Sequence, residues 1–359
     1  MLKLKLNKVH FLKIFSIKKN LKVFLLLCLP ILTQLSCNTT EPTDELKPGR
    51  RDYTWTVDTI PVANSVMKDM WGSSPTDIWI CGDGFDRRQS LWHYDGTNFT
   101  PYNEYILSAT SFCGFAQNNI WMATSTGWIW HYDGVGWKKD TTLTLNGYND
   151  IIIVSMYGNA PNNIYVTGMA NSLDDYRGVI AKYNGKYWAY ITIPYMRVNF
   201  YDIKYDNDLN TFLISGANFD NIGKDERLYN LTNNILTEIY AGTSGRYLGV
   251  IAGKVYIYND KIIYKYNGTG LERFLDLSNT NYLGRVSGRS EKDFFCNTVD
   301  YENDLYGIGH WNGTDLATLY KSKYKTYRTL FFENEVIFFG GNYENENINV
   351  IIKGKLNNN

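Results

Sequence analysis

Residues 118–137 read NNIWMATSTGWIWHYDGVGW. A β-branched and aromatic run follows the two asparagines, and a second apolar run ends at Asp133 and Gly134. An Asp-Gly pair between apolar runs suits a tight hairpin turn, because both of its residues tolerate positive φ. The stretch therefore predicts one strand, a second strand and a hairpin turn that leads into a third.

The same pattern recurs along the chain in seven copies, spaced by about 43 residues. Each copy contains an eight-residue motif of a turn and a strand, such as PTDIWICG at 75–82. The fourth residue of this motif, called the anchor residue below, is Ile78, Ile120, Ile164, Phe212, Val255, Phe294 and Val336. Six places before the anchor, five copies carry glycine, which predicts a chain bend that needs a residue without Cβ. These glycines are Gly72, Gly114, Gly158, Gly249 and Gly288.

Each copy offers four short strands, and four antiparallel strands repeated at this spacing describe a β-propeller blade. The last copy lacks its fourth strand, and the alternating segment 53–60 (YTWTVDTI) supplies one from the other end of the chain. The sequence thus predicts an all-β fold over residues 53–359, a seven-bladed β-propeller of four-stranded antiparallel blades. An N-terminal strand completes the last blade and closes the ring. Six or eight blades, or an open array, are the alternatives.

Two of the copies resemble known propeller families. The copy at 118–137 resembles the blades of two-component-regulator propellers, sensor domains in the exported parts of bacterial receptors. The copy WGSSPTDIWICG at 71–82 is similar to related blades of exported bacterial lipoproteins. The resemblance implies a propeller fold and ligand sensing, and it implies no catalytic residue.

The first 36 residues have the pattern of an export signal. They are lysine-rich, and their apolar run at 23–32 is too short to span a membrane. The sequence Leu35-Ser36-Cys37 resembles a bacterial lipobox, so Cys37 is predicted to carry lipid; an ordinary signal peptide with an incidental cysteine is the alternative. Residues 37–52 are polar and predict a flexible tether. Asn38 favours an outer-membrane lipoprotein of the cell envelope, facing the periplasm or the cell surface.

Composition and motifs exclude several function classes. Residues 37–359 carry 29 basic and 36 acidic side chains, a balance unfavourable for nucleic acid. Motifs of nucleotide-binding, zinc-protease and nucleophile-elbow enzymes are absent. His93 and His131 share one repeat position and His310 is expected one place out of register, so we predict architectural roles and neither a catalytic nor a metal site.

The innermost strand of each propeller blade lines the central channel. The position nine residues before the anchor is expected to face the channel, and it reads Asp69, Ser111, Ser155, Ile203, Arg246, Arg285 and Tyr327. Its polar members Asp69, Ser111, Ser155, Arg246 and Arg285 are candidate ligand-binding residues. Arg246 and Arg285 fall in neighbouring blades and suit a carboxylate or phosphate. A water-filled channel with solvated charges is the alternative.

The loops between second and third strands form a second candidate site, because they project from one face and are rich in acids. The acids are Asp83, Asp86, Asp174, Asp175, Asp220, Asp225, Glu226, Asp300, Glu302 and Asp304. Such a face suits a basic protein surface, or a divalent cation such as calcium; no other cofactor is expected. Solvated surface charge is the alternative.

These patterns favour a lipid-anchored, non-catalytic binding or scaffold module of the envelope that recognises a protein, a peptide or a glycan through one propeller face. A carbohydrate-active enzyme, a glycosidase or lyase with Asp69 and Asp202 at the channel mouth, is one alternative. A structural component of an envelope assembly is the other.

Overall fold

Strands provide almost all regular structure in the described part of the chain. A computed structural model describes residues 47–358 except 63, 222, 244, 246 and 343–346. The predicted signal peptide, Cys37, the first part of the tether and Arg246 therefore lie outside the described residues. Within them, no helix is long and apolar enough to cross a membrane.

The strands of the first four copies are β2 Val66–Ser74, β3 Asp77–Asp83, β4 Leu91–Tyr94, β5 Phe99–Pro101, β6 Ala109–Ala116, β7 Asn119–Thr124, β8 Trp128–Tyr132, β9 Trp137–Thr142, β10 Asp150–Ala160, β11 Asn163–Asn171, β12 Tyr176–Tyr183, β13 Trp188–Tyr190, β14 Asn199–Asp206, β15 Thr211–Ala217, β16 Glu226–Thr232 and β17 Ile235–Gly242. Those of the last three copies, with the N-terminal strand, are β18 Tyr247–Ile251, β19 Lys254–Asn259, β20 Ile262–Tyr266, β21 Leu271–Asp276, β22 Tyr282–Ser290, β23 Asp293–Asp300, β24 Leu305–Trp311, β25 Leu316–Ser322, β26 Lys325–Phe331, β27 Glu335–Asn342, β28 Ile348–Leu356 and β1 Tyr53–Thr59. Two short 3-10 turns lie at Arg87–Gln89 and Phe219–Asn221.

The strands pair in groups of four that follow chain order, as the repeat predicts. β2 to β5, β6 to β9, β10 to β13 and β14 to β17 each form a four-stranded antiparallel sheet. β18 to β21 and β22 to β25 are paired in the same way, and a short parallel contact between β18 and β22 joins them. The prediction of an all-β fold made of four-stranded antiparallel sheets is confirmed.

The last group contains strands from both ends of the described chain. Its sheet runs β1-β28-β27-β26, and β1 pairs with β28 from Tyr53 opposite Leu356 to Thr59 opposite Val350. The first strand of each group contacts the first strand of the next group, and β26 contacts β2. We call these seven strands the inner strands. The N-terminal strand therefore pairs where the alternating pattern of residues 53–60 placed it.

The core lies between neighbouring sheets. The second strand of each group is buried at nearly every position, as in β15, because the sheet is packed on both faces there. The fourth strands have few buried positions, and in β17 every position is exposed or half-buried. Between the last and first copies, Met70 and Ile78 pack with Ile337 and Phe339 in one apolar cluster.

Two of the repeated glycines have a packing role in addition to the predicted one. A Cβ on Gly114 would overlap the ring of Trp71 from the preceding copy, and one on Gly158 would lie 2.9 Å from the Phe115 ring. The Trp71 indole also donates a hydrogen bond to the Gly114 carbonyl, at 3.2 Å. Gly114 and Gly158 therefore allow a neighbouring aromatic ring to approach closely, and a register shift in the strand pairing follows each of them directly.

Residues at the C-terminal end of the predicted tether make specific contacts with the sixth copy. The Gly49 amide donates to the Lys292 carbonyl at 2.7 Å. The Arg51 guanidinium donates to both carboxylate oxygens of Asp315, each at 3.1 Å. The tether prediction therefore does not describe residues 49–51, which are held against the β-sheet body.

Candidate functional site

The antiparallel order of the strands gives the described body two distinct faces. Each inner strand begins on the side that carries the loops between second and third strands. We call this side the loop face. The opposite side carries the tight turns between first and second and between third and fourth strands, and we call it the turn face.

A cavity of about 420 Å³ lies among the inner strands of the last four groups. Its lining residues lie mostly on inner strands, from their first halves to just past their midpoints, so the cavity belongs to the channel. Its tyrosines are Tyr157, Tyr201, Tyr247, Tyr258 and Tyr327. Its charged residues are Asp202, Lys204, Arg285 and Arg328, with three positive charges to one negative.

Asp69, a predicted ligand-binding residue, is buried and ties three copies together. One carboxylate oxygen accepts a hydrogen bond from the Arg328 Nε of the last copy, at 2.6 Å. The same oxygen accepts from the Met70 amide, and the other accepts from the Phe112 amide of the second copy, at 2.9 Å. Both oxygens are thus engaged by the protein, as in a structural carboxylate.

Ser111 and Ser155 also link neighbouring copies. The Ser111 hydroxyl oxygen accepts from the Met156 amide at 3.2 Å, and the Ser155 hydroxyl donates to Asp202 at 3.3 Å. Asp202 accepts in addition from the Lys204 ammonium at 2.5 Å and from the backbone amide that follows it. Because Asp69 and Asp202 both hold strands together, neither is arranged as the free acid or base that the glycosidase alternative needs.

The strand register differs from the predicted channel positions in four copies. Asp69, Ser111 and Ser155 all pair with the residue three places after the anchor. That pairing falls on Asp202 in the fourth copy, on Tyr247 in the fifth, on Gly284 in the sixth and on Arg328 in the seventh. Ile203 and Tyr327, the predicted residues, are displaced by one place, and Ile203 is fully buried.

The length of the turn between the first two strands causes the shift in the fourth and seventh copies. The anchor Ile78 pairs six residues back, with Gly72. Phe212 pairs seven residues back, with Tyr205, and Val336 pairs five residues back, with Phe331. A fixed count of nine residues therefore reaches a different strand face in these copies.

Arg285 lies in the cavity wall. It occupies an unpaired bulge position of β22 with φ of +52°, between the paired residues Gly284 and Val286. Its guanidinium donates to the Tyr327 carbonyl at 2.8 Å and lies 5.5 Å from the centre of the Tyr327 ring. Arg328, which the sequence did not single out, shares the cavity with it, whereas Arg246 is outside the described residues.

The tyrosines of the cavity present neutral hydroxyl groups. Burial raises the pKa of Tyr157 and of Tyr258 to about 12. Burial, followed by the nearby Glu226 carboxylate, also raises the pKa of Tyr201, whose hydroxyl donates to Glu226 at 3.0 Å. At neutral pH these rings combine an apolar face with a hydrogen-bonding tip.

Most of the predicted acidic loop residues already have partners. Asp175 accepts from the hydroxyls of Tyr148 and Tyr195 and from Arg197, which also pairs with Asp220 at 2.9 Å. Other acids of the set pair within their own copy or are capped locally: Asp83 with Arg87, Asp86 with the Arg88 amide, Asp225 with Arg227, Glu226 with Tyr201 and Asp300 with Lys321. Asp174, Glu302 and Asp304 lie exposed in their loops.

These partners reduce the negative charge expected at the loop face. Arg197 lies between β13 and β14, and Lys321 lies on β25. Neither belongs to the loops between second and third strands, so a count of the charges in those loops leaves both residues out. In the described residues, no group of three or more acidic, histidine or cysteine side chains is placed to hold a metal ion. A divalent cation at this face therefore stays a prediction.

Exposed apolar side chains concentrate on the loop face. The large exposed residues there are Val66, Phe85, Tyr105, Leu173, Tyr195, Phe219, Tyr247, Leu283 and Tyr301. Only Val135, Tyr187 and Ile235 among the described residues of this class belong to tight turns of the turn face. We call these nine exposed residues the apolar rim, and one of them, Tyr247, also lines the cavity.

The three histidines occupy one repeat position, which corrects the expectation for His310. His93, His131 and His310 all pair with the residue after the anchor. Each Nε2 lies near an oxygen at the start of the second strand: 2.7 Å for Asp77, 3.0 Å for Asn119 and 2.9 Å for Asp293. The recurrence fits the predicted architectural role.

Comparison with known proteins supports the propeller fold and no finer family. No family model and no curated protein matches the chain. Solved β-propeller proteins are similar to it: YCF48 bound to a D1 peptide has 13% identity and a TM-score of 0.61, covering 88% of this chain and 100% of that chain. An inactive virginiamycin B lyase from Staphylococcus aureus with quinupristin has 12% identity and a TM-score of 0.58, covering 85% and 100%. BBS1N in complex with ARL6DN has 14% identity and a TM-score of 0.57, covering 86% and 98%.

Proposed function

We propose that this protein is a non-catalytic binding module of the cell envelope, held by lipid on Cys37, which recognises an acidic segment of a protein or peptide at its loop face. The proposed scaffold is a seven-bladed propeller closed by β1. The pairing of β1 with β28 and the contact of β26 with β2 support closure. Two of the similar structures are a peptide complex and a protein complex, which favours such a role.

The channel cavity carries this proposal. Arg285 and Arg328 lie in one wall, and Arg285 has no ion-pair partner among the described residues. A guanidinium group can hold a carboxylate through two parallel hydrogen bonds, and it is less strongly hydrated than an ammonium. The tyrosines add apolar contact area, so the cavity suits an acidic side chain or a terminal carboxylate attached to a hydrophobic residue.

The apolar rim extends the surface beyond the cavity. Tyr195, Phe219 and Leu173 are exposed close to the Arg197 ion-pair cluster. A bound peptide that places its carboxylate in the channel would cover part of this rim where its chain extends out of the channel. Aromatic residues and arginine are enriched at such interfaces, where a few of them carry most of the binding energy.

Substituting Arg285→Gln should weaken the binding of acidic peptides about tenfold or more, because a charge-assisted hydrogen bond is removed. The measurement is selection of binders from a display library of random peptides with free carboxyl ends, followed by titration of the selected peptides. We expect enrichment of Asp, Glu or terminal carboxylates. Arg273→Gln is the matched control, since Arg273 lies on the outer strand β21 and pairs with Asp276. Equal affinity of the Arg285→Gln variant and the parent would exclude this site.

Substituting Cys37→Ser should move the protein from the membrane fraction to the soluble fraction, because the thiol that would carry lipid is lost. Fractionation of cells followed by immunoblotting measures this. Cys28→Ser is the control, since Cys28 lies within the predicted signal peptide and should not affect anchoring. A Cys37→Ser protein that stays with the membrane would contradict the anchor.

A further inference from the structure

The Asp-His pair of the sixth copy is covered by a segment of the chain itself. Gly49 lies directly on the pair, since a Cβ there would be 2.5 Å from the Asp293 carboxylate and 2.7 Å from His310 Nε2. The Arg51 Nε then lies 3.3 Å from His310 Nδ1, and its Nη2 donates to the His310 carbonyl at 3.0 Å. The His310 side chain is fully buried as a result.

In the part of the chain that the structure describes, the first copy has the same pair without a covering segment. His93 lies 2.7 Å from Asp77, and its ring is 4.6 Å from the Trp79 ring, just as the His310 ring is 4.6 Å from that of Phe295. The His93 side chain, however, is 32% exposed. It faces a cavity of about 580 Å³ between the first and second copies on the turn face. We call this cavity the turn-face groove.

The turn-face groove has walls suited to an extended, basic segment. Its aromatic walls are Trp79, Tyr102 and Tyr132, and Asp77 is its acidic residue. None of its lining residues in the described chain is a lysine or an arginine. Asp133 adjoins the lining residues Tyr132 and Gly134, but it pairs with Lys138 at 2.6 Å, so Asp77 is the carboxylate that this groove offers.

We propose that the turn-face groove binds an extended peptide segment in which a glycine lies on the Asp77–His93 pair and a basic residue follows two places later. The basis is that the repeat-equivalent site in the sixth copy holds Gly49 and Arg51 in this arrangement. Thr76 stands at the place of Lys292, whose carbonyl accepts from Gly49, so the same backbone bond is available to a ligand. Asn98 replaces Asp315, so the first copy should tolerate either lysine or arginine.

The test uses the peptide KPGRRDY, which has the sequence of residues 47–53, with both ends blocked. Titration into the purified protein, followed by calorimetry, should show saturable binding at one site. A peptide with alanine in place of the glycine should bind about tenfold or more weakly, because its methyl group would overlap the Asp-His pair. Absence of saturable binding by KPGRRDY would overturn the proposal.

Two protein variants locate the site. Asp77→Asn should weaken binding of KPGRRDY about tenfold, and His93→Gln should also weaken it, with the melting temperature of each variant checked against the parent. Asp315→Asn is the matched variant of the sixth copy and should leave the affinity unchanged. The reverse result, in which Asp315→Asn weakens binding of KPGRRDY and Asp77→Asn does not, would overturn the proposal. It would show that the peptide only displaces residues 49–51 from the sixth copy. Arg273→Gln, on the outer strand β21, should leave the affinity for KPGRRDY unchanged.

Discussion

A chain that begins at Ile60, and so lacks β1, should lose more than about 5 kcal/mol of unfolding free energy relative to one that begins at Tyr53. The deleted strand pairs with β28 along its whole length and buries Tyr53. The Trp55 ring packs 5.5 Å from Tyr320 and 6.1 Å from Phe338. Without β1, these apolar side chains and one edge of β28 would face water.

The deletion should also loosen the junction between the last and first copies. Asp58 on β1 pairs with Lys353 at 2.7 Å and accepts from the Tyr94 hydroxyl of the first copy at 2.6 Å. Thermal unfolding measures the effect, and we expect the melting temperature to fall by about 10 °C or more. The chain that begins at Tyr53 is the reference, and one that begins at Lys47 shows the separate contribution of the contacts of Gly49 and Arg51. A melting temperature unchanged by loss of β1 would refute closure by this strand.

The sequence predicted the repeat, the strand groups and the N-terminal strand because all three depend on local patterns. Apolar runs, Asx-Gly turns and a steady spacing are each visible without any knowledge of tertiary contacts. The channel positions of Asp69, Ser111 and Ser155 followed from the same count. Arg328 was missed because the turn before the anchor Val336 is one residue shorter than in the first copy. Only the pairing of β26 with β27 shows this difference.

The roles of individual polar residues were less predictable. The sequence marks Asp69 as a polar residue of the channel, but it cannot show that Arg328 lies beside it, because 259 residues separate them along the chain. The charge of the loop face was overestimated for a similar reason, since Arg197 neutralises Asp175 and Asp220 from a connection outside those loops. Contacts that close a ring or join neighbouring copies are long-range, and local pattern does not encode them.

Substituting Asp69→Ala should lower the free energy of unfolding by about 2–3 kcal/mol, because it leaves a buried donor unsatisfied and breaks an ion pair. The Phe112 amide would lose its acceptor in a buried site. Arg328 would lose its carboxylate partner, but its side chain is 40% exposed, so solvent screening reduces that part of the loss. Urea unfolding followed by tryptophan fluorescence measures the difference.

Three further variants separate a structural role of Asp69 from a functional one. Asp208→Ala is the matched control, because Asp208 pairs with Lys254 at the surface and its loss should change stability by less than about 0.5 kcal/mol. Asp69→Asn keeps an acceptor for the Phe112 amide, so it should lower the free energy of unfolding by about half as much as Asp69→Ala does. Arg328→Met combined with Asp69→Ala should be less destabilising than the sum of the two, since both changes remove one shared interaction. Additive effects, or an Asp69→Ala protein as stable as the parent, would mean that this pair does not hold the last copy to the first.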